Sequence, residues 1–113
     1  MNKFVGNIRT NILNLTYKAK SSHIGSCLSI VEILAVLYKK ILKKNDRFIL
    51  SKGHAALALY CTLFEKKIIS SKILNSFGLN KTILMNHVSH KVNGVEFSTG
   101  SLGHGLPIAV GKA

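Results

Sequence analysis

The glycine-rich run Ser98–Gly105 constrains this chain more than any other segment. It reads Ser-Thr-Gly-Ser-Leu-Gly-His-Gly, with three glycines and a histidine. Glycine loses more backbone entropy on folding than other residues, so it is expected where the backbone approaches another group closely or takes a positive φ. The apolar segment Leu106–Val110 follows, and its Pro107 is typical of a helix start. We predict a loop that feeds a helix, a junction that suits an anion or cofactor and equally an ordinary tight turn.

Two long amphipathic helices are predicted in the first part of the chain. The first covers residues 3–20, where an apolar stripe repeats at helical spacing. Its members are Phe4, Ile8, Ile12, Leu15 and Ala19. The second begins at Ser29–Glu32, which has the pattern of a capping box. Its expected apolar face consists of Ile30, Ile33, Leu34, Leu37, Tyr38 and Ile41.

One strand and two further helices are predicted after these. Phe48–Leu50 is short and continuously apolar, as a strand buried on both faces would be. A third helix is expected from residue 55 to residue 64. Ser70 or Ser71 caps a short fourth helix, which Gly78 ends.

Length and composition indicate at most one domain, which could be a piece of a larger one. The chain has 113 residues, of which 47% are hydrophobic, enough for a packed core. No apolar run reaches the roughly 18 to 20 residues of a membrane span, and the N-terminus has no apolar leader segment. Cys27 and Cys61 lack metal-ligand spacing, so we expect buried, reduced thiols in a cytoplasmic protein.

The charge is strongly basic, with 16 Lys and Arg against 4 acidic residues. Such a balance suggests an anionic partner such as nucleic acid, a membrane surface or phosphorylated small molecules. Arginine, the preferred reader of bases and phosphates, occurs only as Arg9 and Arg47. The lysines are spread in pairs near predicted helix ends, where they complement the helix dipole. Nucleic-acid binding is therefore disfavoured.

All five histidines lie outside the predicted helical stripes, in loops or at helix starts. They are His23, His54, His87, His90 and His104. Loop ends carried by a rigid scaffold are where sites are built, although each histidine alone could be structural. Their spacing matches no zinc motif, and the single aspartate excludes a Ser-His-Asp triad. Histidines without carboxylates suggest proton transfer beside a cofactor that accepts electrons.

Three ordered segments resemble signatures of the transketolase family. They are Ser22–Gly25, Phe48–His54 and Gly94–Gly105, and the resemblance covers essentially the whole chain, residues 1–113. It implies an α/β fold, of which this chain is the N-terminal, mostly helical portion of a doubly wound thiamine-diphosphate-binding domain with about one core strand. The single strand leaves the rest of such a sheet unaccounted for.

The resemblance also implies roles for individual residues. His23 resembles the catalytic histidine near the reacting carbon. His54 resembles the histidine that contacts the cofactor diphosphate. Gly100, Ser101 and Leu102 resemble the segment that lines the cofactor, thiamine diphosphate.

A third histidine of the family touches the hydroxyls of the donor sugar. His87 is the catalytic candidate by this resemblance, but its Asn-His-Val context departs from the family's Gly-His-Pro, so His90 remains an alternative. His104 stands where relatives often have glutamine, and we expect it to be structural. The family's Gly-Asp-Gly magnesium motif is not in this sequence, so no metal ligand is assigned here.

The function implied is transfer of a two-carbon ketol unit from a ketose phosphate to an aldose phosphate, as in the pentose phosphate pathway. We expect this chain alone to be inactive and to need a complementary chain or the remainder of the protein, since the family is typically homodimeric and shares its site between domains. The alternatives are an inactive truncated remnant, another thiamine-diphosphate enzyme such as a deoxyxylulose phosphate synthase, and a basic nucleic-acid-binding module.

Overall fold

The structure, a computed structural model, describes residues 1–113 and consists mostly of helices. The α-helices are α1 (Asn2–Ala19), α2 (Ile24–Leu28), α3 (Val31–Val36), α4 (Ala56–Glu65), α5 (Ser71–Asn75) and α6 (Gly105–Lys112). A π-helical turn covers Leu37–Ile41 and a 3₁₀ turn covers Gly53–Ala55. None of these helices has both the length and the apolar character needed to cross a membrane.

Helix α4 lies at the centre of the core. Every residue from 56 to 63 is buried, as expected for a helix that is apolar on all sides. Helices α1 and α3 pack against it and against each other. The predicted stripe of α1 is buried at Phe4, Ile8, Ile12 and Leu15. The radius of gyration is 13.1 Å, close to the value of about 13 Å for a compact chain of this length.

The capping box predicted at Ser29–Glu32 is wrong. Helix α3 begins at Val31 and receives no side-chain hydrogen bond at its N-cap. The Ser29 hydroxyl instead donates to the carbonyl of Ser26, at 2.9 Å. The Glu32 carboxylate pairs with Arg9 of α1. Both side chains are drawn to other partners, so the local cap does not form.

The expected apolar face of the second helix is only partly buried. Leu34 is buried, whereas Ile33 and Ile41 are 60% and 53% exposed. Helix α3 changes into the π-helical turn at Leu37. The wider winding of a π turn shifts the register of the side chains that follow, so the spacing of an α-helix no longer places Ile41 on the buried side.

No strand is found in the structure, and the predicted strand at Phe48–Leu50 is an irregular segment. The α/β class and its single core strand are therefore not confirmed. A strand is defined by backbone hydrogen bonds to a second strand, and this chain contains no partner for the segment. The Leu50 carbonyl instead accepts a hydrogen bond from the side chain of Thr99.

The remaining elements agree closely with the sequence. Helix α4 lies within one residue of its predicted bounds. The Ser70 hydroxyl caps α5 by accepting from the Ile73 amide at 3.2 Å. Gly78 has φ 81°, but it does not end the helix as predicted, since α5 ends at Asn75 with Ser76 as its C-cap. Residues 79–101 contain no helix or strand, and α6 follows the glycine-rich run. Helix α2 lies between the first two predicted helices, where the sequence patterns predict no helix.

Candidate functional site

Three histidines from distant parts of the chain meet at one place. The ring centroids of His23 and His54 lie 5.4 Å apart, and those of His23 and His87 lie 5.6 Å apart, both edge to face. His23 precedes α2, His54 lies in the 3₁₀ turn before α4, and His87 lies in the loop over 79–101. We call these three residues the histidine cluster.

His23 adopts an uncommon backbone conformation. Its φ of 69° and ψ of 14° lie in the left-handed region, which costs a residue with a β-carbon roughly 1–2 kcal/mol. Its side chain is exposed. Strained residues persist where the surrounding structure holds them, and they concentrate at active sites and ligand clamps. The left-handed conformation of His23 turns the chain, and α2 begins at the next residue, Ile24.

His54 lies in a turn that requires a glycine beside it. A β-carbon on Gly53 would lie 2.5 Å from the carbonyl carbon of Thr99. The 3₁₀ turn and the glycine-rich run can approach this closely only because residue 53 has no side chain.

The electrostatic surroundings of His54 favour its neutral form. Its pKa is lowered from the usual 6.5, first by desolvation and then by the positive charges of His23, Lys52 and His87. A neutral imidazole offers one donor and one acceptor. A ligand that carries negative charge would relieve the repulsion among these groups.

His87 is held in place by Tyr60 of the buried helix α4. The Tyr60 hydroxyl donates to the carbonyl of His87 at 3.3 Å and accepts from the amide of Ser89 at 3.2 Å. Burial raises the pKa of Tyr60 to about 12. The next residue, Val88, donates its amide to the Gly53 carbonyl at 3.0 Å. The loop is thus fastened at His87 itself and at the two residues that follow it.

The glycine-rich run lies against this arrangement. A β-carbon on Gly100 would lie 3.3 Å from Cδ2 of His87, and one on Gly105 would lie 2.5 Å from Cβ of Ser51. The Gly105 amide donates to the Ser51 hydroxyl at 3.1 Å. Ser101 and Leu102 are exposed between these contacts. The close approach predicted for the run is found at both glycines.

Lys52 joins two of the segments that carry the cluster, and sequence reasoning missed it. Its Nζ donates to the Ser26 carbonyl at 3.1 Å and to the Ser29 hydroxyl at 2.8 Å. These bonds fasten the α2 region, which follows His23, to the turn that holds His54. The signal available was its place inside the Ser-Lys-Gly-His motif. Tyr60 was also missed, because its sequence context is that of an ordinary core helix.

The other two histidines lie outside the cluster. Nδ1 of His90 is hydrogen-bonded to the Ser98 hydroxyl at 2.7 Å. His104 is exposed at the N-cap of α6 and makes no side-chain capping bond. The structure therefore brings His87, and not His90, against His23.

The histidine cluster does not suit magnesium. Mg²⁺ is bound by oxygen ligands in octahedral geometry, whereas the cluster presents imidazole nitrogens. No group of three His, Cys, Asp or Glu side chains in the structure is arranged to hold a metal ion. The histidine cluster lies beside the glycine-rich run and has positive charge around it. These surroundings suit an organic anion instead.

Comparison with known proteins identifies the family. The model of the family described as transketolase, thiamine diphosphate binding domain, matches residues 1–113. The chain belongs to the transketolase family. This transketolase-family chain is 41% identical over 114 residues to an apulose-4-phosphate transketolase subunit of Phocaeicola vulgatus, covering 93% of the chain and 41% of the relative.

Two further transketolase relatives have similar identity. The 6-deoxy-6-sulfo-D-fructose transketolase subunit of Clostridium sp. (strain MSTE9) is 36% identical over 116 residues, covering 94% of the chain and 42% of the relative. Transketolase-like protein 2 of Mus musculus is 37% identical over 116 residues, covering 94% and 18%. The chain spans about two-fifths of the length of the two bacterial relatives and less of the mouse protein.

Proposed function

We propose that this chain forms part of a thiamine-diphosphate-dependent transketolase that transfers a two-carbon ketol unit from a ketose phosphate to an aldose phosphate. The observation that carries the proposal is the convergence of His23, His54 and His87 beside the Gly100–Leu102 segment. His23, His54 and Gly100–Leu102 come from three separate motifs and His87 from a loop outside them, so they share no local reason to meet.

The residues present fit thiamine diphosphate. Because Gly100 has no side chain, its backbone lies close against the His87 ring. His54 lies in the 3₁₀ turn that leads into α4, where free amides and the helix dipole favour an anion. The neighbouring Lys52 adds positive charge. When bound, the cofactor supplies a ring that accepts the electron pair released as the carbon–carbon bond of the sugar breaks.

Each residue of the site has its own role in this proposal. His54 donates a hydrogen bond to the diphosphate. Gly100, Ser101 and Leu102 line the cofactor through their backbone. His23 and His87 bind the hydroxyls of the sugar and carry protons to and from them, a role for which imidazole is suited near neutral pH. Positioned general acid–base catalysis of this kind contributes about 10²–10⁴-fold to a rate.

A complementary part of the enzyme completes the site in this proposal. Two of the relatives above are named as transketolase subunits, which implies further subunits in those enzymes. We infer that a second polypeptide, or a further part of the same one, supplies oxygen ligands for Mg²⁺ and the remaining strands of a doubly wound sheet. Residues 48–50 would join that sheet, and the assembled enzyme would be dimeric.

Thiamine diphosphate binding tests this proposal. Calorimetry should detect Mg²⁺-dependent binding when this chain is mixed with the C-terminal portion of a bacterial transketolase, and the mixture should transfer ketol units between sugar phosphates. His54→Gln should weaken binding, whereas His104→Gln, an exposed histidine outside the cluster, should not. Equal affinities for the two variants, or no binding by the mixture, would contradict the proposal.

A further inference from the structure

A cavity of about 530 Å³ lies elsewhere in the molecule and shares no lining residue with the histidine cluster. Its walls come from three separate segments. The first is Tyr38 of the π-helical turn together with residues 42–48. The second is Lys66 and Ile68, which follow α4, and the third is the loop over 93–96. A cavity of this volume lies within the usual range for small-molecule sites.

The floor of this cavity is apolar. The rings of Tyr38 and Phe48 pack edge to face with centroids 5.7 Å apart, and Leu42 lies beside them. Both rings are partly exposed. We call these three residues the aromatic floor, and such a surface suits the carbon skeleton of a ligand.

The rim of the cavity carries unpaired positive charge. Lys43, Lys44 and Lys66 line it, and none of the three forms an ion pair with an acidic group. We call them the lysine rim. Three ammonium groups around one concavity repel one another, and a bound anion would relieve that repulsion.

The two acidic residues of the cavity have partners of their own. The Asp46 carboxylate accepts from the backbone amide of Lys43 at 2.8 Å. The Glu96 carboxylate pairs with Lys112 at 2.8 Å, and Arg47 approaches it at 3.9 Å. The pKa of Glu96 is lowered, first by its hydrogen bond from Lys112. The cavity lining therefore carries four basic side chains against two acidic ones, and its net charge is positive.

We propose that this cavity binds an organic phosphate, with its phosphate group among the lysine rim and its carbon skeleton on the aromatic floor. Part of the strongly basic balance of the chain is concentrated at this cavity. The site is separate from the proposed cofactor site and does not depend on it. Arg47 and Phe48 line this cavity, and the same segment continues to His54, so the two sites are joined by one stretch of chain.

Titration of the isotope-labelled protein with adenosine diphosphate, followed by NMR, tests this site directly. Shifts are expected at amides of residues 43–48, 66–68 and 93–96. Adenosine diphosphate should bind at least about threefold more tightly than inorganic pyrophosphate, because only the nucleotide reaches the aromatic floor. The double variant Lys43→Gln/Lys44→Gln should weaken nucleotide binding about tenfold.

The matched control is Lys40→Gln/Lys72→Gln, which removes the same charge from exposed positions outside the cavity. It should leave the affinity within about twofold of the starting protein. If Lys43→Gln/Lys44→Gln does not fold, Lys66→Gln is tested instead, because Lys66 lies in a different segment of the chain. Shifts confined to the histidine cluster, equal affinities for nucleotide and pyrophosphate, or equal losses in both double variants would each overturn the proposal.

Discussion

Gly53 and Thr99 are in contact through their backbones, and a β-carbon at position 53 would lie 2.5 Å from the Thr99 carbonyl carbon. This contact places the turn that carries His54 against the start of the glycine-rich run. Val88 bridges the same pair, since its amide donates to Gly53 and its carbonyl accepts from Thr99. The turn that carries His54, the segment that follows His87 and the start of the glycine-rich run are therefore packed as one unit.

Gly53→Ala should destabilise the fold and displace the glycine-rich run. The added carbon meets backbone atoms, which cannot rotate away, so we expect a loss of about 1–3 kcal/mol in the free energy of unfolding. Urea denaturation measures it. Gly6→Ala is the control, because nothing lies within 4 Å of that position in α1 and alanine favours a helix by about 1 kcal/mol. Equal stabilities of the two variants would show that the contact is absent.

Replacing His23 should distinguish the free-energy cost of its left-handed backbone from the role of its imidazole in ketol transfer. His23→Gly removes the cost of a left-handed backbone and should raise the free energy of unfolding by about 1 kcal/mol, whereas His23→Val should lower it by a similar amount. Both variants should lose ketol transfer when the complementary part is present. Thermal melts and the transfer assay distinguish the two effects. Destabilisation by His23→Gly would mean that the imidazole supports the fold.

Tyr60→Phe should loosen the loop that carries His87. The change leaves the buried Ser89 amide without its acceptor, which costs about 1–3 kcal/mol. Hydrogen exchange at Ser89 should accelerate, and the NMR signals of His87 should shift. Tyr17→Phe is the matched control, because Tyr17 is 87% exposed on α1 and should change neither measurement. If Tyr60→Phe changes neither the hydrogen exchange of Ser89 nor the NMR signals of His87, Tyr60 does not support the site.

Lys52→Met should raise the pKa of His54. The lysine lowers that pKa by repulsion, so its removal favours the imidazolium, and an NMR titration of the His54 ring reports the change. The same variant loses two hydrogen bonds to the α2 region. Lys40→Met, exposed and distant from the cluster, is the control. If both variants give the same His54 titration, Lys52 does not act on the cluster.

The fold should be less stable below pH 6.5 than above it. The pKa of His54 is lower in the folded protein than the ordinary 6.5, so the unfolded chain binds more protons between these two values. The contribution of neutral His54 is present above pH 6.5 and is lost as the pH falls toward the folded value. Melting temperatures at pH 7.5 and pH 5.5 measure the difference, which His54→Gln should reduce. An unchanged difference in that variant would assign the pH effect to other groups.

Local signals predicted the helices well because each depends on neighbours within one or two turns. The stripe of α1, the hydroxyl cap of Ser70 and the positive φ of Gly78 are all features of this kind. The capping box at Ser29–Glu32 failed because both side chains have stronger partners elsewhere, Ser29 with Lys52 and Glu32 with Arg9. A local sequence pattern does not show that distant residues compete for the same side chains.

The candidate site was predictable as a set of motifs and not as a geometry. The sequence alone determined the glycine-rich run before α6, the histidines at loop ends and the family they resemble, because backbone freedom and residue chemistry are local properties. Only the tertiary structure decided that His87 joins His23 while His90 turns to Ser98. It also decided that Phe48–Leu50 forms no strand and that Gly53 meets Thr99, since pairing and close approach require a partner distant in the chain.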